Sequence, residues 1–391
     1  MMIGALLAAA ALRHRFPATL APVRKRDRAL SVVRWIPAGL GTALMVGVAA
    51  LLAVPASTPA ILAADGQPVT GSIAELATVH LGGQDQSILL RGKSVDAPVL
   101  LYLSGGPGQS DLGWNRALYA DLTDDFIVVG WDQPGTGKSY PAFDAGALTV
   151  DRGVSDTIEL TDYLRERFDE ERIYLLGESW GTILGVLAVQ RRPELYHAWI
   201  GSGQMVDPLE TTRRLHDDLL ALAERTDDEV LAEAMARYGD PPYEDIFAGA
   251  FVMGYYPALY EPYTPPAAYI ELAQASGLDQ WNVLASEYDL VEKIAVLRGL
   301  IDYYSVMWPQ IQTIDLRRQA THLEVPVYIL DGAAELDARR DLALEWYAGL
   351  TAPSKRLVTF ADAAHSVSFE GVEQFHALLI EEILPATYGR D

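Results

Sequence analysis

The feature that most limits how this 391-residue chain can fold is an alternation of short, continuous apolar runs with longer amphipathic stretches. Val99-Leu100-Leu101-Tyr102-Leu103, Phe126-Ile127-Val128-Val129-Gly130, Ile173-Tyr174-Leu175-Leu176 and Ala198-Trp199-Ile200 are too short for helices and apolar at almost every position. A further run closes at Tyr328-Ile329-Leu330. Strands read this way when both faces of a parallel sheet are covered by helices. The stretches near 156–168, 182–191 and 342–350 carry apolar residues at helical spacing. Ahead of them, Ala77-Thr78-Val79-His80-Leu81 and Ser87-Ile88-Leu89-Leu90-Arg91 flank Gly82-Gly83-Gln84-Asp85, a hairpin pattern. The expected fold class is α/β, with a mostly parallel central sheet covered by helices. Between 208 and 321 the alternation stops. This stretch is helix-rich, dense in Tyr and Trp, and carries Pro241-Pro242 and Pro265-Pro266. Because the strand pattern resumes at Val325 as though uninterrupted, the stretch reads as a helical cap inserted between two core strands. The expected parts are residues 73–207 and 322–391 for the core and 208–321 for the cap.

Charge is distributed unevenly. Arg13, Arg15, Arg24, Lys25, Arg26, Arg28 and Arg34 precede a run without charge from Trp35 to Leu62, and only Asp27 opposes them. Such a cluster before an apolar segment predicts a cytoplasmic arm over 1–34, a signal anchor over 35–57, a linker over 58–72 and an exported body. The alternative is secretion after cleavage near Val54-Pro55-Ala56. The whole chain carries a net charge of -23, and the body is more acidic still. That surface repels phosphates, so a nucleic-acid partner is not expected. Cysteine is absent, which excludes disulfides, a thiolate nucleophile and Cys-ligated metal sites. Nothing in the sequence sets an oligomeric state.

Gly177-Glu178-Ser179-Trp180-Gly181 follows the run 173–176 directly, and a helical pattern opens at Trp180. A serine on a strand–tight turn–helix junction is lifted above the sheet edge, with helix amides behind it for developing negative charge. A hydroxyl needs a base, and of the seven histidines His365 stands after the last apolar run and before a C-terminal helix. The acid that orients it should follow the run ending at Leu330. Glu335 is placed first by loop position, and Asp337 is the alternative. Gly105-Gly106-Pro107-Gly108 follows the first parallel run; because Pro107 has no N–H, Gly106 and Trp180 are the expected oxyanion donors. These parts, in the order Ser, acid, His, specify the α/β-hydrolase fold and acyl transfer through a covalent intermediate, with no metal or organic cofactor in any step.

Together, Gly105-Gly106-Pro107-Gly108-Gln109-Ser110, Trp131-Asp132-Gln133-Pro134-Gly135-Thr136-Gly137-Lys138-Ser139, the serine motif and Ala364-His365-Ser366 resemble the proline iminopeptidase family. The resemblance covers about 73–384 and matches the cap only loosely. It implies release of an N-terminal residue from small peptides, with cap carboxylates holding the amino terminus. Glu244, Glu261 and Glu287 are candidates for that task, and Glu178 adds a carboxylate beside the nucleophile where the family commonly has Gly. Trp281, Tyr255, Tyr256 and Trp308 are candidates for an apolar wall. The alternative function is a membrane-tethered carboxylesterase or lactonase on small-molecule or lipid esters; a more remote one is a binding protein on a hydrolase core. The run 132–139 also looks like a phosphate-binding loop, but the pattern requires Gly where Asp132 stands and a helix opening at Lys138.

Overall fold

Gly82 and Gly83 have φ of 54° and 80°, the left-handed pair that a two-residue hairpin turn needs and that glycine adopts without a Cβ clash. They join β1 (Ile73–Leu81) to β2 (Gln84–Gly92), with Leu81 opposite Gln84. The turn is therefore shorter than the four residues expected. Gln84 and Asp85 already belong to the ladder, opposite Leu81 and His80, because a tight turn of this hand matches the twist of the strands.

The computed structural model describes residues 25–243, 245–279 and 282–389. The hairpin is followed by β3 (Val99–Leu103), β4 (Ile127–Asp132), β5 (Ile173–Glu178), β6 (Tyr196–Ser202), β7 (Val327–Gly332) and β8 (Lys355–Phe360). They form one eight-stranded sheet in the order β1-β2-β4-β3-β5-β6-β7-β8. Pairing is antiparallel between β1 and β2 and between β2 and β4, and parallel elsewhere. Strands β3, β4, β5 and β7 are buried at every position. The two-residue period of a strand sends alternate side chains to opposite faces. Leu101, Leu103 and Leu175 accordingly join a core with Ile183 and Trp346, while Leu100, Tyr102 and Leu176 join a second core with Phe369 and Phe375.

Between β6 and β7 the described chain is helical: Pro208–Thr226, Glu229–Tyr238, Ile246–Gly254, Ala267–Ala275 and Leu290–Ile311 are the longer helices. Asp207, Asp228, Asp245 and Asp289 accept backbone N–H groups at the starts of four of them, the capping role a short carboxylate fills best. Leu219, Leu231, Met235 and Val252 make a small core of their own there.

The described chain divides after Val54 into two compact units. In the first, a helix runs Lys25–Leu52, so it begins before the expected anchor at 35 and ends short of 57. Its Leu40, Leu44, Met45 and Val46 are exposed. Among the described residues, no helix is long and apolar enough to cross a membrane. The end of the expected anchor and the start of the expected linker make contacts with the body. Ser57 N–H donates to Ser286 O at 2.8 Å, Arg91 Nη1 donates to Thr58 Oγ1 and Pro59 O at 2.7 Å each, and Ile61 is buried. Arg91 is itself largely buried in β2, and a buried guanidinium must find acceptors.

Candidate active site

Ser179 occupies the turn between β5 and the Trp180–Arg191 helix with φ 51° and ψ −116°, a backbone conformation that L-residues rarely adopt and that persists only where the surroundings enforce it. Gly177 and Gly181 make this turn feasible. A Cβ on Gly181 would stand 2.1 Å from Leu103 O, and one on Gly177 would stand 2.6 Å from Gly181 O. Ser179 N–H donates to Ser202 O on β6 at 3.0 Å, fixing the turn against the neighbouring strand.

His365 lies after β8, in the loop before the short Val367–Glu370 helix. Its Nε2 is 3.0 Å from Ser179 Oγ, and its Nδ1 is hydrogen-bonded to Glu335 Oε2. Glu335 Oε1 accepts from Tyr260 Oη–H at 2.7 Å and from Leu336 N–H at 2.8 Å, and forms an ion pair with Arg339 at 3.5 Å. Burial alone would raise the Glu335 pKa; the charges of His365 and Arg339 and the hydrogen bonds from His365 and Tyr260 prevail and bring it down to about 2. The carboxylate is thus ionised and fully engaged. Asp337, the alternative acid, is exposed on the first turn of the Asp337–Gly349 helix, and Asp331 is still in β7, paired with Arg340 at 2.9 Å.

The loop after β3 closes the other side. Gly105 and Gly106 line the same cavity as Ser179 and His365. Asp111 is buried and accepts from Tyr102 Oη–H and Gln109 Nε2–H, each at 2.9 Å, and from the Gly105 amide. Gly105 N–H is therefore occupied, whereas Gly106, the expected oxyanion donor of this loop, lines the cavity. Trp180 is the first residue of its helix, where the helix itself leaves N–H groups unused. Burial pushes Asp111 up to about 6 against the pull of those bonds.

The cavity holds about 350 Å³ and is lined by Trp114, Met253, Tyr269 and Phe369 as well as Arg339 and Glu178. Glu178 is buried, accepts from Ser368 Oγ–H at 3.3 Å, and is pushed well above the usual carboxylate range by burial, with Glu370 and Asp111 adding to the effect. The cap carboxylates do not converge here. Glu261 is exposed, Glu287 is wholly buried and paired with Arg116 at 2.7 Å, and neither lines the cavity. Glu244 and Trp281 lie outside the described residues. Tyr256 stacks under Arg339, Trp308 stacks on Tyr304, and Tyr255 packs on Phe251, so none of the three forms the apolar wall.

Several residues of the site carried no local signal. Tyr260 and Tyr263, from the helical stretch, reach Glu335 after β7 and Glu370 on the short helix after His365; Tyr263 Oη–H donates to Glu370 at 3.1 Å, and Glu370 also accepts the Ala364 amide. Only Arg339 had a cue, its spacing of four from Glu335. The phosphate-loop run has a different task. Asp132 is buried, accepts Lys138 N–H at 2.8 Å and Tyr288 Oη–H at 3.0 Å, and burial pushes it up to about 7. Lys138 leads into a 3₁₀ turn and pairs with Glu292 at 2.7 Å. The run joins the sheet edge to the helical stretch.

Comparisons agree with this architecture. A family model described as alpha/beta hydrolase fold matches residues 98–372. The chain is similar to the probable aminopeptidase YbaC of Bacillus subtilis (strain 168), at 26% identity over 311 residues that cover 78% of this chain and 94% of that protein. A shorter match, 31% identical over 96 residues, covers 25% of this chain and 31% of a proline iminopeptidase of Heyndrickxia coagulans. The crystal structure of a proline iminopeptidase from Mycobacterium smegmatis aligns with a TM-score of 0.56 at 19% identity, over 81% of this chain and 100% of that one. A proline iminopeptidase-related protein from Thermus thermophilus aligns at 0.52 and 24% identity, over 81% and 98%. Identities this low speak for the fold alone. With its sheet order, its serine turn and a family match spanning most of its length, the chain belongs to the alpha/beta hydrolase fold family.

Proposed function

We propose that this hydrolase is a serine aminopeptidase acting on small peptides through an acyl-enzyme. The observation that carries the proposal is the chain of contacts from Ser179 Oγ to His365 Nε2 at 3.0 Å and from His365 Nδ1 to Glu335, opening on a cavity of about 350 Å³. Ser179 attacks the scissile carbonyl while His365 Nε2 takes its proton, and ionised Glu335 steadies the imidazolium. The amides of Gly106 and Trp180 receive the oxyanion. His365 returns the proton to the leaving amine and then activates water for deacylation. The amide substrate class is supported by the similarity to a probable aminopeptidase over 94% of that protein's length.

A second reading, hydrolysis of small-molecule esters, is favoured by the apolar share of the cavity wall, Trp114, Met253, Tyr269 and Phe369. Hydrolysis of proline, alanine and N-acetyl-proline naphthylamides beside short-chain naphthyl esters separates the two. Cleavage of the free-amine amides but not the acetylated one is the expected result, and cleavage of esters alone would replace the peptidase reading by the esterase one. In the same proposal residues 35–57 tether the chain to a membrane with the body on the exported side, supported by the uncharged run from Trp35 to Leu62 behind a basic cluster. Membrane fractions washed with alkaline carbonate should retain the protein; its full release into the wash would remove the anchor.

A further inference from the structure

Resting on the aminopeptidase reading, we propose that Arg339 receives the C-terminal carboxylate of the substrate's leaving portion, which makes short peptides with a free carboxyl terminus the preferred substrates. Arg339 lines the cavity with Ser179 and His365, and among the described lining residues it is the one permanent cation. Its Nη1 donates to Tyr260 Oη at 2.7 Å and to Glu335 Oε1 at 3.5 Å. Nε and Nη2 have no hydrogen-bond partner among the described residues, and neither atom is sealed from solvent. The side chain as a whole is 17% exposed, so a ligand can reach it.

Nε and Nη2 form one edge of the guanidinium, and such an edge takes a carboxylate through two parallel hydrogen bonds. Its plane is held in advance. The guanidinium carbon stands 5.2 Å from the centre of the Tyr256 ring, and the residue belongs to the first turn of the Asp337–Gly349 helix. The Gln109 amide, another donor of the wall, is committed to Asp111. Glu178, the acid of the wall, is pushed well above the usual carboxylate range by burial, and in its neutral form it does not oppose an entering anion.

The direction of the reaction points to the same residue. His365 must hand its proton to the leaving nitrogen, so the leaving portion lies on the His365 side of Ser179. Arg339 stands on that side, joined to His365 through Glu335. In a dipeptide the carboxylate follows the leaving nitrogen after a single Cα, and each further residue moves it away by about 3.5 Å. A cation fixed in the cavity wall therefore selects for length. When His365 becomes an imidazolium, it and Arg339 are two cations against the one charge of Glu335, and the substrate carboxylate offsets the surplus. A short peptide is a zwitterion, so the acidic surface of a chain with net charge -23 does not repel it as a whole.

The test compares the full-length protein with its Arg339→Gln and Arg339→Lys variants on Ala-Ala, Ala-Ala-Ala, their C-terminal carboxamides and alanine naphthylamide. Loss of the pair with Glu335 lowers turnover of every substrate, so the readout is the ratio of kcat/KM for carboxylate over carboxamide. In the wild type that ratio should exceed about 10 for at least one length, and Arg339→Gln should lower it by about 10- to 100-fold, the value of hydrogen bonds between charged groups. Arg339→Lys, which keeps the charge and loses the fork, should restore part of it. A wild-type ratio near one, or a ratio that Arg339→Gln leaves unchanged, would reduce Arg339 to a brace of Glu335 and leave the aminopeptidase reading standing. A wild-type protein that cleaves none of these amides would remove that reading, and the carboxylate subsite with it. Should neither variant fold, the wild-type ratio decides: a value near one overturns the subsite, and tenfold or more supports it.

Discussion

In the sheet, Leu101, Leu103, Leu175 and Ile200 are wholly buried, whereas on the Leu290–Ile311 helix Val291, Ile294, Leu297 and Ile301 stand 45% to 60% exposed. The sheet and the helices between β6 and β7 meet at one cavity but contribute to it differently. The proposed nucleophile, base and acid all stand just beyond the carboxyl ends of β5, β8 and β7. The helical stretch adds Met253 and Tyr269 to the wall, and Tyr260 and Tyr263 as braces on two acids. In the proposed mechanism the chemistry is thus carried by the part of the molecule with the densest burial, and the helical stretch, with less, is where local opening costs least.

Replacing the nucleophile should have the largest effect. Ser179→Ala should lower turnover by about 10⁴-fold or more with an unchanged thermal transition; wild-type-like turnover would place the chemistry elsewhere. Next comes the acid. Glu335→Gln should reduce kcat by roughly 10³- to 10⁴-fold, because the neutral amide no longer steadies the imidazolium. Asp337→Asn, exposed two residues further on, should stay within about twofold, since exposed substitutions that break no contact change little. The reverse pattern would exchange their roles.

Denaturant unfolding sharpens the contrast between the two regions. Leu175→Ala should destabilise by about 2–5 kcal/mol through lost burial and the cavity left behind, whereas Ile294→Ala, 56% exposed, should cost about 0.5 kcal/mol or less. Equal effects would mean that the helical stretch is as tightly built as the sheet. The joint at Asp132 gives a pH test. Its folded pKa, about 7, lies above the ordinary carboxylate value. Its contribution to stability is therefore fully present below about pH 4 and lost as pH rises toward 7, at up to about 1.4 kcal/mol per pH unit. Asp132→Asn should remove that slope relative to wild type, and parallel pH profiles would argue against a protonated Asp132. The smallest effect belongs to the brace. Tyr260→Phe removes one donor from Glu335 and should lower kcat by about 3- to 10-fold, with KM changed less. A change confined to KM would make Tyr260 a wall residue instead.

The core was legible because its signals are local. Continuous apolar runs at 99–103, 126–130 and 173–176 could bury themselves only as covered parallel strands, and β3, β4 and β5 lie where those runs stand. Gly177, Gly181 and the helical pattern after Trp180 described a turn that tolerates little else. The hairpin turn was misjudged by two residues because polar Gln84 and Asp85 look like loop residues until paired. The docking of Thr58 and Pro59 left no local cue because their partner, Arg91, lies some thirty residues on in the chain.

From residues alone came the fold class, the serine turn, and the narrowing of base and acid to His365 and to Glu335 or Asp337. Each follows from the spacing of neighbours along one strand or one turn. Only the tertiary structure decided which carboxylate meets His365 Nδ1, that Tyr260 braces Glu335 from 75 residues away, and that Tyr263 braces Glu370 from 107 away. Those outcomes depend on how helices placed between two strands settle over the sheet edge, and burial by distant segments leaves no period or motif in the chain to announce it.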